Sequence, residues 1–170
     1  KYGLSCDFVG HPITNENIPD ESGHNHFFKI INIDKSKRII SILPGSRVSE
    51  IKFMLPIYAK LIKKLSSQFD DLEFVIPAPK NVIKYLKPKV EKYKLNVHIL
   101  TESENSVEEF NSLKFLLFKL STLAINTSGS VSLELAKTGT PMISIYKCSW
   151  FFEKILKIFV KLKSANLINI

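Results

Sequence analysis

Ile42-Leu43-Pro44-Gly45-Ser46-Arg47 and Thr127-Ser128-Gly129-Ser130-Val131-Ser132-Leu133-Glu134 are two stretches of one kind, far apart in the chain. Each ends an apolar, strand-like run in small residues and then opens a helix-like run. That is where an α/β sheet binds anions, because small residues let the backbone approach and a helix N-terminus offers unpaired N–H groups. Together the two stretches point to a clamp for a diphosphate. Taken singly, the first reads equally as a turn carrying a surface arginine, and the second as a helix cap.

Outward from these stretches, strand and helix signals alternate. Residues 39–43, 72–78, 97–101, 123–126 and 141–146 read as strands. Between them, 49–69 carries Ile51, Met54, Leu55, Tyr58, Leu61, Ile62, Leu65 and Phe69 at helical spacing, with Pro56 expected to kink the helix or mark its true start. Residues 81–93, 106–120 and 129–138 complete the helices, the last closed by Gly139. Strands separated by helices predict a parallel, Rossmann-like α/β sheet with right-handed crossovers, and ligands in such sheets sit beyond the carboxyl ends of the strands. Both small-residue stretches fall at those ends. Residues 1–35 are less regular: 8–12 suggest a strand entering a turn, 15–26 a polar loop, and 27–33 a short apolar stretch. They read as a linker entering a domain that spans 36–170.

A chain of 170 residues, 45% hydrophobic, is sized for one core. It has no internal repeat. Its formal charge of +8 is nearly all lysine, with Arg38 and Arg47 the two arginines, and favours phosphates, nucleotides or acidic membranes as partners. Cys6 and Cys148 stand in no metal-ligand spacing, which argues against zinc and for a reducing, cytoplasmic compartment. His11, His24, His26 and His98 form no helix-spaced metal pair either. No signal peptide and no apolar run of membrane-spanning length is visible. A start at Lys1 and an end in Leu167-Ile168-Asn169-Ile170 read as a piece of a longer protein.

The candidate binding groups have two readings each. Arg47 suits a phosphate, since guanidinium matches its oxygens in two-point geometry, or it pairs with Glu50 at the surface. Glu134 is a solvated helix carboxylate or an acceptor of ligand hydroxyls. Residues 150–163 form a lysine-bearing apolar segment beginning Trp150-Phe151. Read as a helix, it puts Lys154, Lys157 and Lys161 on one face and Phe152, Ile155, Phe159 and Leu162 on another. It is a core helix, or it lies at the interface of an anionic membrane.

The series Phe8-Val9-Gly10-His11-Pro12, Ile42 to Arg47 with Glu50, Ser128 to Glu134, Thr138-Gly139-Thr140-Pro141-Met142 with Tyr146, Val160-Lys161 and Leu167-Ile168-Asn169 resembles the lipid-A-disaccharide synthases. The resemblance covers nearly the whole chain. It implies the C-terminal, nucleotide-sugar-binding half of a GT-B glycosyltransferase, with the N-terminal acceptor domain lying outside this sequence. It further implies a donor site at Gly45, Ser46, Arg47, Ser128, Gly129, Ser130 and Glu134, with Glu134 on the ribose hydroxyls, and Arg47 and Asn169 as catalytic residues. The implied reaction needs neither metal nor cofactor. The C6 hydroxyl of diacylglucosamine 1-phosphate attacks the anomeric carbon of UDP-diacylglucosamine, giving a β-1,6 disaccharide and UDP, and the general base is expected on the other domain. Acylated substrates imply peripheral attachment to the cytoplasmic face of the inner membrane through Trp150, Phe151, Lys154, Lys157 and Lys161. Nucleic acid is not an implied partner.

Two positions depart from the family pattern. Ile168 stands where proline is usual before the asparagine, and Lys147 stands where arginine is common, keeping the charge without the bidentate fork. Another GT-B enzyme of UDP-sugars, such as an epimerase or a peptidoglycan glycosyltransferase, and a non-catalytic nucleotide-binding remnant remain the alternatives.

Overall fold

The computed structural model describes residues 7, 10, 12–15, 18–20, 23–102, 106–127 and 129–145. After a 3-10 turn at Pro12–Asn15, the order is α1 (His24–Ile31), β1 (Arg38–Leu43), α2 (Val48–Ser66), β2 (Leu72–Ala78), α3 (Lys80–Lys92), β3 (His98–Thr101), α4 (Val107–Leu120), β4 (Ser121–Asn126), α5 (Val131–Lys137) and β5 (Met142–Ser144). The five strands form one sheet in the order β3-β2-β1-β4-β5, every pair parallel. This is the expected Rossmann-like architecture. Parallel neighbours need crossovers, and the intervening helices supply them.

Two cores lie on opposite faces of the sheet, and the period-2 alternation of β1 shows why. Ile39 and Leu43 face α1 and α4, with Phe27, Ile31, Leu113, Leu117 and Phe118, whereas Ile40 and Ile42 face α2 and α3, with Met54, Tyr58, Ile62 and Leu86. Ser41 shares the first face but is buried, and its hydroxyl bonds Ser121 Oγ at 2.7 Å. Ser121 in turn donates to the Leu117 carbonyl at 2.6 Å, so this buried pair is satisfied.

Three local readings need adjustment. The stretch expected as a polar loop becomes α1 from His24 onward, because Phe27 and Ile31, one helical turn apart, both reach the core. Asn32 ends this helix in the left-handed conformation at φ 55°. Pro56 does not mark the start of α2, which begins at Val48 and contains the proline. What Pro56 forfeits is one bond to the carbonyl of Lys52, an exposed position that water can satisfy. The short α5 begins at Val131, two residues later than the glycine suggested.

The amino ends of the strands gather their own charges. Glu73 bonds Lys37 Nζ at 2.7 Å and His98 Nε2 at 3.0 Å, and Asp71 takes both Nε and Nη2 of Arg38 at 2.7 and 2.8 Å. Partial burial pushes the Glu73 carboxyl up, but its hydrogen bonds to Lys37 and His98 outweigh that and hold it below the usual range. These ion pairs therefore sit at the end of the sheet away from both small-residue turns. Among the described residues no group of three His, Cys, Asp or Glu side chains could hold a metal, and no helix is long and apolar enough to cross a membrane.

Candidate functional site

Because β1 and β4 are adjacent in the sheet, the turns that follow them are neighbours in space. They flank an open cleft of about 370 Å³ at the carboxyl ends of the strands. The cleft brings together Gly45, Ser46 and Arg47 from the first turn with Gly129, Ser130 and Glu134 from the second. Six of the expected donor-site residues thus share one surface. Ser128 lies outside the described residues, as do Asn169 and the membrane candidates Trp150, Phe151, Lys154, Lys157 and Lys161.

The two turns are held together by main-chain carbonyl chemistry. The Leu43 carbonyl, the last of β1, accepts from the Thr127 amide at 3.0 Å, the Thr127 hydroxyl at 3.3 Å and the Tyr58 hydroxyl at 3.4 Å. Burial pushes the Tyr58 hydroxyl well above its ordinary ionisation range, so it remains a donor. Beneath the second turn, fully buried Asn126 donates through Nδ2 to Ser132 Oγ at 3.0 Å and to the Thr127 carbonyl at 3.1 Å. Its Oδ1 accepts from Ser144 Oγ at 3.0 Å. One side chain thereby ties the end of β4 to α5 and to β5. Sequence reading passed over Asn126, since a polar residue ending a strand looks like a turn former.

In the first turn the backbone donors already have a partner. Glu50 Oε2 accepts from the amides of Ser46 at 2.9 Å and Arg47 at 3.3 Å, the arrangement of a third-position carboxylate capping its own helix. Its Oε1 lies 3.1 Å from Arg47 Nη1. The surface ion pair considered for Arg47 is therefore formed, and a carboxylate stands at the mouth of α2 where a ligand phosphate was expected to take these amides. The Arg47 side chain is nonetheless 77% exposed, and an ion pair this open adds little stability, so the guanidinium can turn to an anionic ligand at small cost.

Across the cleft, Glu134 is not a solvated carboxylate. Its Oε2 is buried and 2.9 Å from Lys114 Nζ, a contact with ion-pair distance but no aligned hydrogen bond. Lys114 projects from α4 between the cleft residues Phe110 and Phe118, each one turn away. Sequence reading missed Lys114, although a lone lysine in a helical stripe otherwise filled by phenylalanine is the signal that could have found it. Thus the cleft offers, within one apolar-walled opening, an exposed guanidinium on one side and a paired carboxylate on the other. That combination suits a ligand with phosphates at one end and hydroxyls at the other.

Comparison with known proteins agrees on family and fold. A family model described as lipid-A-disaccharide synthetase matches residues 1–170. The lipid-A-disaccharide synthase of Sulfurihydrogenibium sp. is 36% identical over 165 residues, covering 96% of this chain and 42% of that protein. That of Rickettsia canadensis is 32% identical over 173 residues, covering 100% and 41%. The chain thus spans about two fifths of the length of the curated relatives it matches. Among solved structures, the Escherichia coli ADP-heptose lipopolysaccharide heptosyltransferase II superposes with a TM-score of 0.59 at 12% identity, over 75% of this chain and 38% of that one. The UDP-GlcNAc 2-epimerase of Neisseria meningitidis, bound to UDP-GlcNAc, gives 0.56 at 19% identity, over 88% and 39%. At these identities the likeness concerns the fold, which is that of one half of the GT-B architecture.

Proposed function

This chain belongs to the lipid-A-disaccharide synthetase family, and from that premise we propose that it is the UDP-sugar-binding half of a glycosyltransferase. The observation that carries the proposal is the single cleft in which the Gly45 and Gly129 turns meet beside Arg47 and Glu134. In this reading the donor is UDP-diacylglucosamine and the acceptor diacylglucosamine 1-phosphate. The acceptor's C6 hydroxyl attacks the anomeric carbon, the bond to the diphosphate breaks, and the lipid A disaccharide 1-phosphate and UDP are formed.

Negative charge grows on the departing diphosphate in such a step. A positioned guanidinium stabilises it where it develops, which is the role we assign to Arg47. Gly45, Ser46 and Ser130 would let the diphosphate approach the backbone, together with Ser128 and Gly129, while Glu134 would accept from the ribose hydroxyls. Asn169 is assigned to the active site by family resemblance. The general base and the acceptor site would lie on a separate N-terminal domain, and the segment entering from it would end before α1, since Phe27 and Ile31 belong to the core of the donor domain.

Direct binding tests this. UDP titrated into the chain by calorimetry is expected to bind, and Arg47→Ala to weaken it by about 1.5–3 kcal/mol, the scale of a hydrogen bond between charged groups. Equal affinity in both forms would remove Arg47 from the site.

We also propose attachment to the cytoplasmic face of an anionic inner membrane through residues 150–163, because both substrates are acylated. Each lysine near such a surface is worth about 1 kcal/mol. Replacing Lys154, Lys157 and Lys161 by glutamine is expected to reduce flotation with anionic vesicles, and added salt to mimic the loss. Undiminished flotation of the triple variant would place those side chains away from lipid.

A further inference from the structure

The cleft holds a second cation whose task the donor reading leaves open. Lys114 and Glu134 are largely enclosed, with side-chain exposures of 18% and 22%. The Lys114 ammonium sits 2.9 Å from Glu134 Oε2 and over the Phe115 ring, 5.3 Å from its centroid, so an aromatic face and a carboxylate confine it. Glu134 Oε2 has no hydrogen-bond donor. A carboxylate in this position, once a ligand closes over it, loses water from an ion whose desolvation is expensive unless a countercharge stays beside it. The lysine supplies that countercharge from a different element, α4, so the orientation of the Glu134 side chain does not depend on α5 alone.

We propose that Lys114 is a specificity-determining residue of this cleft. It is a positioning residue that pins Glu134 through Oε2, so that Oε1 accepts from the vicinal hydroxyls of a nucleoside diphosphate's sugar. This rests on the nucleotide reading of the cleft given above. Without the lysine, Glu134 either swings toward solvent or stays as an uncompensated, half-buried charge, and in both cases the hydroxyls lose their fixed acceptor. A lysine that instead touched the diphosphate would act on every nucleotide alike, whatever its sugar.

The test is calorimetric titration of the chain with UDP and with 2′,3′-dideoxy-UDP, for wild type, Lys114→Met, Lys114→Arg and the double variant Lys114→Met/Glu134→Gln. Wild type is expected to favour UDP by about tenfold, the scale of one hydrogen bond to a charged group. Lys114→Met is expected to lose that preference while its affinity for the dideoxy nucleotide stays within about twofold of wild type, a margin well under one such hydrogen bond. Lys114→Arg is expected to retain most of it. Should Lys114→Met fail to fold by circular dichroism, Lys114→Gln replaces it and is likewise expected to lose the preference, since it keeps Glu134 and a polar side chain but removes the countercharge; the double variant reports only that Glu134 is the acceptor. A preference that survives in Lys114→Met, or in Lys114→Gln where that replaces it, overturns the proposal, and so does an equal loss for both nucleotides. Wild type that binds neither nucleotide would instead overturn the nucleotide reading, and this inference with it.

Discussion

Asn126→Asp is expected to cost about 3–5 kcal/mol of stability at neutral pH, the penalty for a buried charge lacking a partner, although it changes one atom. Asn126 is fully buried, and its Nδ2 donates to Ser132 Oγ and to the Thr127 carbonyl. An ionised carboxylate puts a second acceptor where that donor was, facing a carbonyl oxygen. Protonation restores one O–H donor, so the folded state raises the carboxyl's affinity for protons above its unfolded value of about 3.9. The sign follows from that difference. Between the unfolded and folded ionisation ranges the folded state binds more protons, so stability falls as pH rises through that window. Urea denaturation at pH 4 and pH 8 is the measurement. The deficit against wild type should be larger at pH 8, and a deficit independent of pH would mean that the side chain has left its buried site.

Gly45→Ala is the second large effect expected. Gly45 has φ +119°, a conformation that costs other residues about 1–3 kcal/mol, and an added Cβ would lie 2.6 Å from both Cβ and Oε2 of Glu50. Cβ of Glu50 is anchored to α2, so it cannot simply rotate away. Relief requires the carboxylate to leave the Ser46 and Arg47 amides, and losing such a cap costs about 1 kcal/mol more. Gly139→Ala is the control, because φ there is +70° with nothing within 4 Å of the added Cβ, which leaves only the conformational strain of about 1–2 kcal/mol. Thermal unfolding should therefore rank wild type above Gly139→Ala and Gly139→Ala above Gly45→Ala. The Gly45 variant should also lose UDP binding, since the turn beside Arg47 is rebuilt. Equal melting temperatures for the two alanine variants would show that Glu50 yields without cost.

The element types were legible because they depend on local pattern. The run Ile39-Ile40 to Leu43 and the helical spacing of Ile51, Met54, Leu55, Tyr58 and Ile62 each state their own periodicity, and all of these except Ser41 end as apolar core positions. Helix α1 was harder to read because polar His24, Asn25 and His26 precede Phe27, and only Phe27 and Ile31 are buried, with Phe28 packed in part against the same core. Its helical character is carried by Phe27, Phe28 and Ile31 packing against the core shared with α4 and the sheet rather than by a long stripe.

Within the cleft the division is the same. That Gly45-Ser46-Arg47 and Gly129-Ser130 end strands and precede helices is a property of short segments, and the family pattern of those segments marked them as one site. Their meeting is not local, since it needs β4 to pair beside β1, with β2 and β3 on the other side, an order set by how the helices cover both faces. Only that packing put Lys114 of α4 against Glu134 of α5, turned Asn126 into a three-way tie, and gave the Ser46 and Arg47 amides to Glu50. Charges and hydrogen-bonding groups can be counted along a sequence. Which of them neutralises or satisfies which is decided by distances of about 3 Å, beyond which a hydrogen bond fails, and those exist only once the chain has folded.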